Sequence, residues 1–255
     1  MEIHVHSQYA SLRNELRDIP RRFMDGEGIV LHEGRNSVRT FDIGGLRLVV
    51  KRYKPVCFVR QIAYTFFCRT KAEKAFLFAE ILRERGFDTP HEVAYIKQRR
   101  FGLFHVGYFV SLPCDDPTAY SALVAEPEFS PELASDLAAL FVQMHLKGVM
   151  HGDMNLGNFL FHKKDDAHYT FNIIDTNRSR FVDRPLSRQE SLRNLRTVTF
   201  RRDLYTYIIR TYATIRGWDA KETEKEATRL LTRFEQWKTN KRKWKEIARK
   251  ILYRG

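Results

Sequence analysis

The chain has 255 residues, 43% hydrophobic and 29% charged, which places it among globular proteins able to bury a sizeable core in one or two domains. With 44 Lys and Arg against 31 Asp and Glu it carries a formal charge of +13, so its partners are expected to be polyanions: nucleic acid, an anionic membrane surface or a phosphorylated glycolipid. Three cysteines without a CxxC pair exclude a disulfide framework and a zinc site, and no apolar leader or bilayer-long apolar run is present, so a reducing, cytoplasmic setting is expected.

No zinc finger, RNA-recognition signature or internal repeat points to nucleic acid as the partner. Residues 8 to about 24 read as a short basic helix, with Leu12, Leu16 and Ile19 on one side and a first part that ends before Pro20. From Gly28 the period becomes that of strands, over Ile29–His32, Val38–Asp42 and Leu46–Lys51, with Gly44-Gly45 as a tight hairpin signal. The turn Glu33-Gly34-Arg35-Asn36-Ser37 carries small residues that let backbone N–H groups approach phosphate oxygen, though an ordinary hairpin explains it as well. Lys51 ends the third strand; Lys54 is less suited to a site, because Pro55 follows it.

Lys71 to Arg85 reads as a helix with Ala72, Ala75, Phe76, Ala79 and Leu82 apolar and Gly86 just beyond its end. It offers two carboxylates on nearly one face, Glu73 and Glu80, and Thr70 to Glu73 also fits a capping box. Glu92–Gln98 and Phe104–Leu112 look like further strands, and Pro113-Cys114-Asp115-Asp116-Pro117 is a break. Ser130 and Pro131 then open a helix as N-cap and first residue, with Leu133, Leu137, Leu140, Phe141 and Met144 as core and His145 beside them. Gly148 ends it.

The stretch that follows, His151-Gly152-Asp153-Met154-Asn155-Leu156-Gly157-Asn158, is the one around which the chain is organised. A strand over Phe159–Phe161, a polar turn and a return strand over Tyr169–Ile174 fold Asp175 back beside its end, so that Asp153, Asn158 and Asp175 face one cleft. Phosphoryl transfer needs these groups: a carboxylate to orient and deprotonate the attacking hydroxyl, and an amide and a second carboxylate to hold magnesium against the phosphates. The plain alternative is a polar turn whose Asp and Asn satisfy backbone donors.

The interval of five from Asp153 to Asn158 and the position of Asp175 resemble the protein-kinase-like superfamily. His-Gly-Asp-x-Asn-x-x-Asn and Asp175-Thr176-Asn177-Arg178 narrow the resemblance to the bacterial lipopolysaccharide core kinases, the Kdo/heptose kinase family. The resemblance covers about Ile29 to Asp203 and implies an α+β, two-lobed protein-kinase-like fold. Residues 1–113 would form an N-lobe of antiparallel sheet plus one helix, and 114–255 a mainly helical C-lobe. It further implies ATP and Mg²⁺ as cofactors, Asp153 as catalytic base and Asn158 and Asp175 as metal ligands. Lys51 would clamp phosphate, oriented by Glu73, under a loop containing Gly34, Asn36 and Ser37. That loop departs from the family's G-x-G-x-x-G, keeping only Gly34. The acceptor would be a hydroxyl of Kdo or heptose in the lipopolysaccharide inner core, at the cytoplasmic face of the inner membrane, with no nucleic acid involved.

Arg178, Arg180, Arg184, Arg188, Arg193, Arg196, Arg201 and Arg202 then occupy the region that faces the acceptor in the superfamily, and Arg suits bidentate capture of phosphate. Asp203 reads as the N-cap of a helix over Leu204–Ile215, or as a brace for the catalytic loop. In the tail, Trp237, Trp244 and Ile251 recur every seven residues among Lys238, Lys241, Arg242, Lys243, Lys245, Arg249 and Lys250. This basic helix is expected to bind an anionic membrane surface. Two rivals remain, a kinase of another acceptor (a protein side chain or a small molecule) and a catalytically inactive kinase-like scaffold.

Overall fold

The structure, a computed structural model, describes residues 1–165 and 168–252, the side chains of Lys245 and of residues 247–252 excepted. Lys245, Arg249, Lys250 and Ile251 of the expected C-terminal stripe therefore lie outside the described side chains. The chain divides into two compact units, one made of Met1–Asp116 and Asn172–Ser179, the other of Pro117–Phe171 and Arg180–Gly255.

The first unit opens with β1 (Glu2–Val5), a 3-10 segment, α1 (Arg13–Arg17) and α2 (Ile19–Met24). The single helix expected here is thus broken into short pieces, and Pro20 sits in the first turn of α2, where its missing N–H costs nothing. β2 (Ile29–His32), β3 (Ser37–Ile43) and β4 (Leu46–Arg52) follow as expected, then α3 (Phe58–Phe66), α4 (Lys71–Glu84), β5 (Glu92–Arg100) and β6 (Leu103–Ser111). The strands form one six-stranded antiparallel sheet in the order β1-β5-β6-β4-β3-β2. Gly44 and Gly45 turn β3 into β4 with φ of 56° and 76°, the left-handed pair that a two-residue hairpin of this hand requires.

Side chains alternate across the sheet, and this alternation places Lys51. Leu48 and Val50 point into a core closed by Leu16, Ile19 and Phe23 of the N-terminal helices, so Lys51 points to the opposite face. α4 covers that face with buried Ala72, Ala75, Phe76, Ala79 and Leu82. The helix lies close: a Cβ built on Gly107 of β6 would stand 3.2 Å from the Cβ of Ala72. Asn172–Ser179 joins this unit although it lies beyond the expected boundary at residue 113. Asn172 bridges Asp88, and the Ile173 N–H donates to the Asp88 carbonyl at 2.8 Å.

The second unit holds α5 (Ala119–Leu123), α6 (Pro131–Leu146), β7 (Val149–Met150), β8 (Phe159–Lys163), β9 (Tyr169–Ile173, whose last two residues belong to the first unit), β10 (Arg180–Phe181), α7 (Arg188–Leu195), α8 (Arg202–Ile215) and α9 (Ala220–Leu252). β8 pairs with β9, and β7 with β10. Ser130 caps α6 through the Leu133 N–H at 3.1 Å, and Leu133, Leu137, Phe141 and Met144 are buried as the spacing requires. α6 packs on α8, which buries Leu204, Ile208 and Tyr212. Gly148 has φ of 69°, and a Cβ there would fall 1.9 Å from the Val182 carbonyl oxygen, so only glycine lets the chain leave α6 directly into β7.

Asp203 is not the N-cap of α8. Arg201 occupies that position, and Asp203, in the first turn, binds its guanidinium at 3.0 Å. Arg201 also donates to the carbonyls of Leu123 and Glu126, so the carboxylate neutralises a cation that ties α8 to the end of α5. α9 is anchored by buried Thr223, Ala227 and Leu231, whereas Trp237 and Trp244 are exposed. Lys241 lies 4.5 Å from the centroid of the Trp237 ring.

Candidate active site

In the first unit, Lys51 Nζ donates to Asp175 Oδ1 at 2.8 Å, and Asn177 Nδ2 donates to the same oxygen at 2.6 Å. Asp175 holds a left-handed backbone, φ 55° and ψ 43°, a conformation that Asp tolerates better than most residues and that is often found at working sites. The buried Tyr53 ring lies beneath, 5.6 Å from Lys51 Nζ and 6.0 Å from Lys71 Nζ. Burial, with a smaller contribution from the Asp175 charge, pushes the Tyr53 hydroxyl far above its ordinary range.

Lys71 is the residue the sequence reading missed. It is the first residue of α4, where the helix dipole disfavours a cation and favours an anion. Burial lowers its pKa most; the charges of Arg35, Arg178 and Arg60 lower it further, while Asp175 opposes them. Lys51 and Lys71 thus both feel the charge of Asp175, and Arg35, Arg60 and Arg178 add their positive field at Lys71. Such an excess calls for an anion of several charges.

Glu73 is held elsewhere. It completes the capping box with Thr70 and pairs with Lys97 of β5 at 3.1 Å, while Lys51 pairs with Asp175 and with neither Glu73 nor the exposed Glu80. The expected Lys51–Glu73 pair is thereby corrected: Glu73 meets a cation on the adjacent strand before it can reach β4. In the turn between β2 and β3, Ser37 Oγ donates to Glu33 at 2.8 Å and Asn36 Oδ1 accepts the Lys54 N–H at 3.3 Å. Gly34 abuts His32, with only 2.8 Å between a Cβ there and Nε2.

In the second unit the catalytic-loop stretch is fastened at both ends. The Asp153 N–H donates to His151 Nδ1 at 3.1 Å, and Asn158 Nδ2 donates to the Asp153 carbonyl at 2.9 Å. His151 is fully buried and accepts at Nδ1, which makes it a scaffold for the loop, as expected. Behind it runs a chain of buried polar groups that the sequence reading did not assemble. Asn194 of α7 donates from Nδ2 to the His151 carbonyl, which turns its Oδ1 toward His145 Nε2 at 3.1 Å. That nitrogen must carry the proton, so His145 Nδ1 accepts from the Tyr212 hydroxyl at 2.9 Å. Arg216 donates in turn to the Tyr212 oxygen at 3.1 Å. Burial holds His145 neutral, its pKa lowered to about 4 against a raising contribution from Asn194.

Most of the arginine run is structural. Arg184 makes a two-pronged pair with Glu190 at 2.8 and 2.9 Å, Arg188 binds Glu226 at 3.0 Å, Arg202 binds Glu235, and Arg196 covers Phe234 at 4.8 Å. Arg180 and Arg193 are exposed. Among the described residues, no three His, Cys, Asp or Glu side chains converge as a metal nest. The donor types nonetheless fit magnesium: with Nδ2 of Asn158 turned to a carbonyl, its amide oxygen is presented as a hard ligand, and Asp175 supplies a carboxylate.

The profile of the lipopolysaccharide kinase (Kdo/WaaP) family matches residues 57–250. Among solved structures, one described as WaaP in complex with acyl carrier protein aligns with a TM-score of 0.58. The alignment covers 92% of this chain and 97% of that one at 19% identity, and it shows that the chain has the kinase-like fold. No curated protein sequence matches the chain.

Proposed function

The chain belongs to the lipopolysaccharide kinase (Kdo/WaaP) family and is a phosphotransferase of the lipopolysaccharide core, and from that premise we propose that it transfers the γ-phosphoryl of ATP to a hydroxyl of Kdo or heptose in the inner core. The observation that carries this reading is the Lys51–Asp175 pair set in a cluster of cations on the sheet face covered by α4.

In this reading the first unit holds the polyphosphate. Lys51 and Lys71 neutralise its charge, Arg35, Arg60 and Arg178 extend the positive field, and the turn of Gly34, Asn36 and Ser37 covers it. The second unit supplies Asp153, which orients the acceptor hydroxyl and takes its proton as the bond to phosphorus forms. Asn158 and Asp175 are the residues that would hold Mg²⁺, which supplies charge neutralisation to the phosphates when bound. The relay from Arg216 through Tyr212, His145 and Asn194 holds the backbone at His151, two residues from Asp153, so that the base is positioned before substrate arrives.

The glycolipid acceptor implies work at the cytoplasmic face of the inner membrane, where the basic helix α9, with Trp237 and Trp244 exposed, would meet anionic lipid. Among the described residues no helix is long and apolar enough to cross a bilayer. The test is to incubate the protein with ATP–Mg²⁺ and either Kdo–lipid A or a heptose-bearing core, and to locate the phosphate by mass spectrometry and NMR. Phosphate on one sugar hydroxyl supports the reading and names the acceptor; phosphate on protein alone refutes it.

A further inference from the structure

α3 wears its amphipathicity inside out. A helix of a globular protein turns its apolar stripe to the core, yet none of the residues of α3 is buried. Its contacts with the sheet come from the other side. Tyr64 meets the Phe104 ring edge-on at 5.4 Å, and Thr65 Oγ1 accepts the Phe104 N–H at 2.8 Å. Phe58, Val59, Ile62 and Phe66 lie within about 100° of arc on the facing side. Phe58 is 65% exposed, Val59 74%, Phe66 66% and the following Phe67 81%.

The tip of the β5–β6 hairpin, which α3 touches through Phe104, adds Phe101 at 91% exposure with the Arg100 guanidinium 5.3 Å from its ring centroid. The charge around this surface has one sign. Residues 52–72 contain Arg52, Lys54, Arg60, Arg69 and Lys71 and no Asp or Glu, and Lys97 to Phe104 contain no acid either. Arg69 approaches Glu73 only at 3.9 Å.

We infer that the outer face of α3 and the β5–β6 tip form an interfacial membrane anchor that inserts Phe58, Val59, Phe66, Phe67 and Phe101 into an anionic bilayer while the flanking cations meet its headgroups. Exposed aromatic and aliphatic side chains interleaved with cations, without acids, are what such an interface binds. This anchor lies in the first unit and is separate from α9. It rests on the proposed membrane acceptor only for the choice of a lipid surface over an acidic protein.

The test is co-sedimentation with vesicles of phosphatidylglycerol and phosphatidylethanolamine, and with neutral phosphatidylcholine vesicles. It compares the wild type, Phe58→Ser/Phe66→Ser, Phe101→Ser, and Trp237→Ser/Trp244→Ser. Phosphorylation of a deacylated, water-soluble core acceptor is followed beside it. The wild type should bind the anionic vesicles, and each variant of the α3 surface or the β5–β6 tip should lower partitioning at least about tenfold, because each removes apolar area that the bilayer would bury. Their melting temperatures and activity on the soluble acceptor should stay unchanged. Wild-type partitioning by the α3 variants would overturn the anchor, as would binding of an acidic protein in place of vesicles. Loss of activity on the soluble acceptor by the wild type itself would instead sink the kinase reading and leave the vesicle result standing.

Discussion

Lys51 and Asp175 meet at 2.8 Å although 124 positions separate them, and both side chains remain partly open to solvent. A partly exposed pair contributes about 1 kcal/mol or less to stability, so its value here is chemical. Lys51→Met and Asp175→Asn should each lower kcat/KM by roughly two to three orders of magnitude while moving the melting temperature by only a few degrees. Steady-state kinetics and thermal melts on the same preparations check this. A collapse of stability with each substitution would recast the pair as structural.

Lys71 belongs to the same field: its ammonium lies 6.0 Å from the Tyr53 ring centroid, and that of Lys51 lies 5.6 Å from it. Lys71→Gln should raise the KM for ATP by about tenfold, the order of one charge-assisted contact, and leave AMP binding nearly unchanged. Isothermal titration with ATP, ADP and AMP separates the two. Equal weakening for all three nucleotides would place Lys71 at the base or ribose and not at the phosphates.

The relay behind the catalytic loop predicts a different signature. Asn194→Ala removes the hydrogen bonds to the His151 carbonyl and to the buried His145 imidazole N–H, at a cost of about 1–3 kcal/mol in stability. Because Asn194 acts through the loop and touches no substrate, kcat should fall several-fold while the KM for ATP holds. Asn194→Asp keeps only the acceptor of the amide and should rescue the melting temperature in part at most.

His145 sets the pH dependence of stability. Its folded-state pKa, about 4, lies below the ordinary value of 6.5, so between these values the unfolded chain takes up a proton that the folded chain refuses. The contribution is complete above pH 6.5 and is lost as pH falls toward 4, amounting to at most roughly 3 kcal/mol. Melting temperatures between pH 7.5 and 4.5 should therefore decline on acidification, and His145→Gln should flatten that slope. An unchanged slope in the variant would move the effect to another group.

Much of this was legible in the sequence because it is local. β3, β4, α4 and α6 announce themselves through period and caps, and His151 to Asn158 carries its chemistry in a spacing of residues. What escaped depends on contacts between distant elements. Glu73 looked available to Lys51 until β5 set Lys97 beside it, and Asp203 looked like an N-cap until Arg201 claimed both the cap position and the carboxylate. Lys71 was invisible because a lysine opening a helix reads as a solvated charge; only Arg35, Arg60 and Arg178 arriving from other segments give it a role. The acceptor arginines read as one basic face, yet Arg184, Arg188 and Arg202 are spent on Glu190, six residues on in α7, and on Glu226 and Glu235 of α9.

The most direct measurement is transfer of labelled phosphate from ATP–Mg²⁺ to Kdo–lipid A by the wild type and by Asp153→Ala, with nucleotide binding measured in both. Loss of the base should lower kcat by about two to four orders of magnitude with ATP binding intact. Transfer by Asp153→Ala at the wild-type rate, or no label on the glycolipid from either protein, would contradict the account.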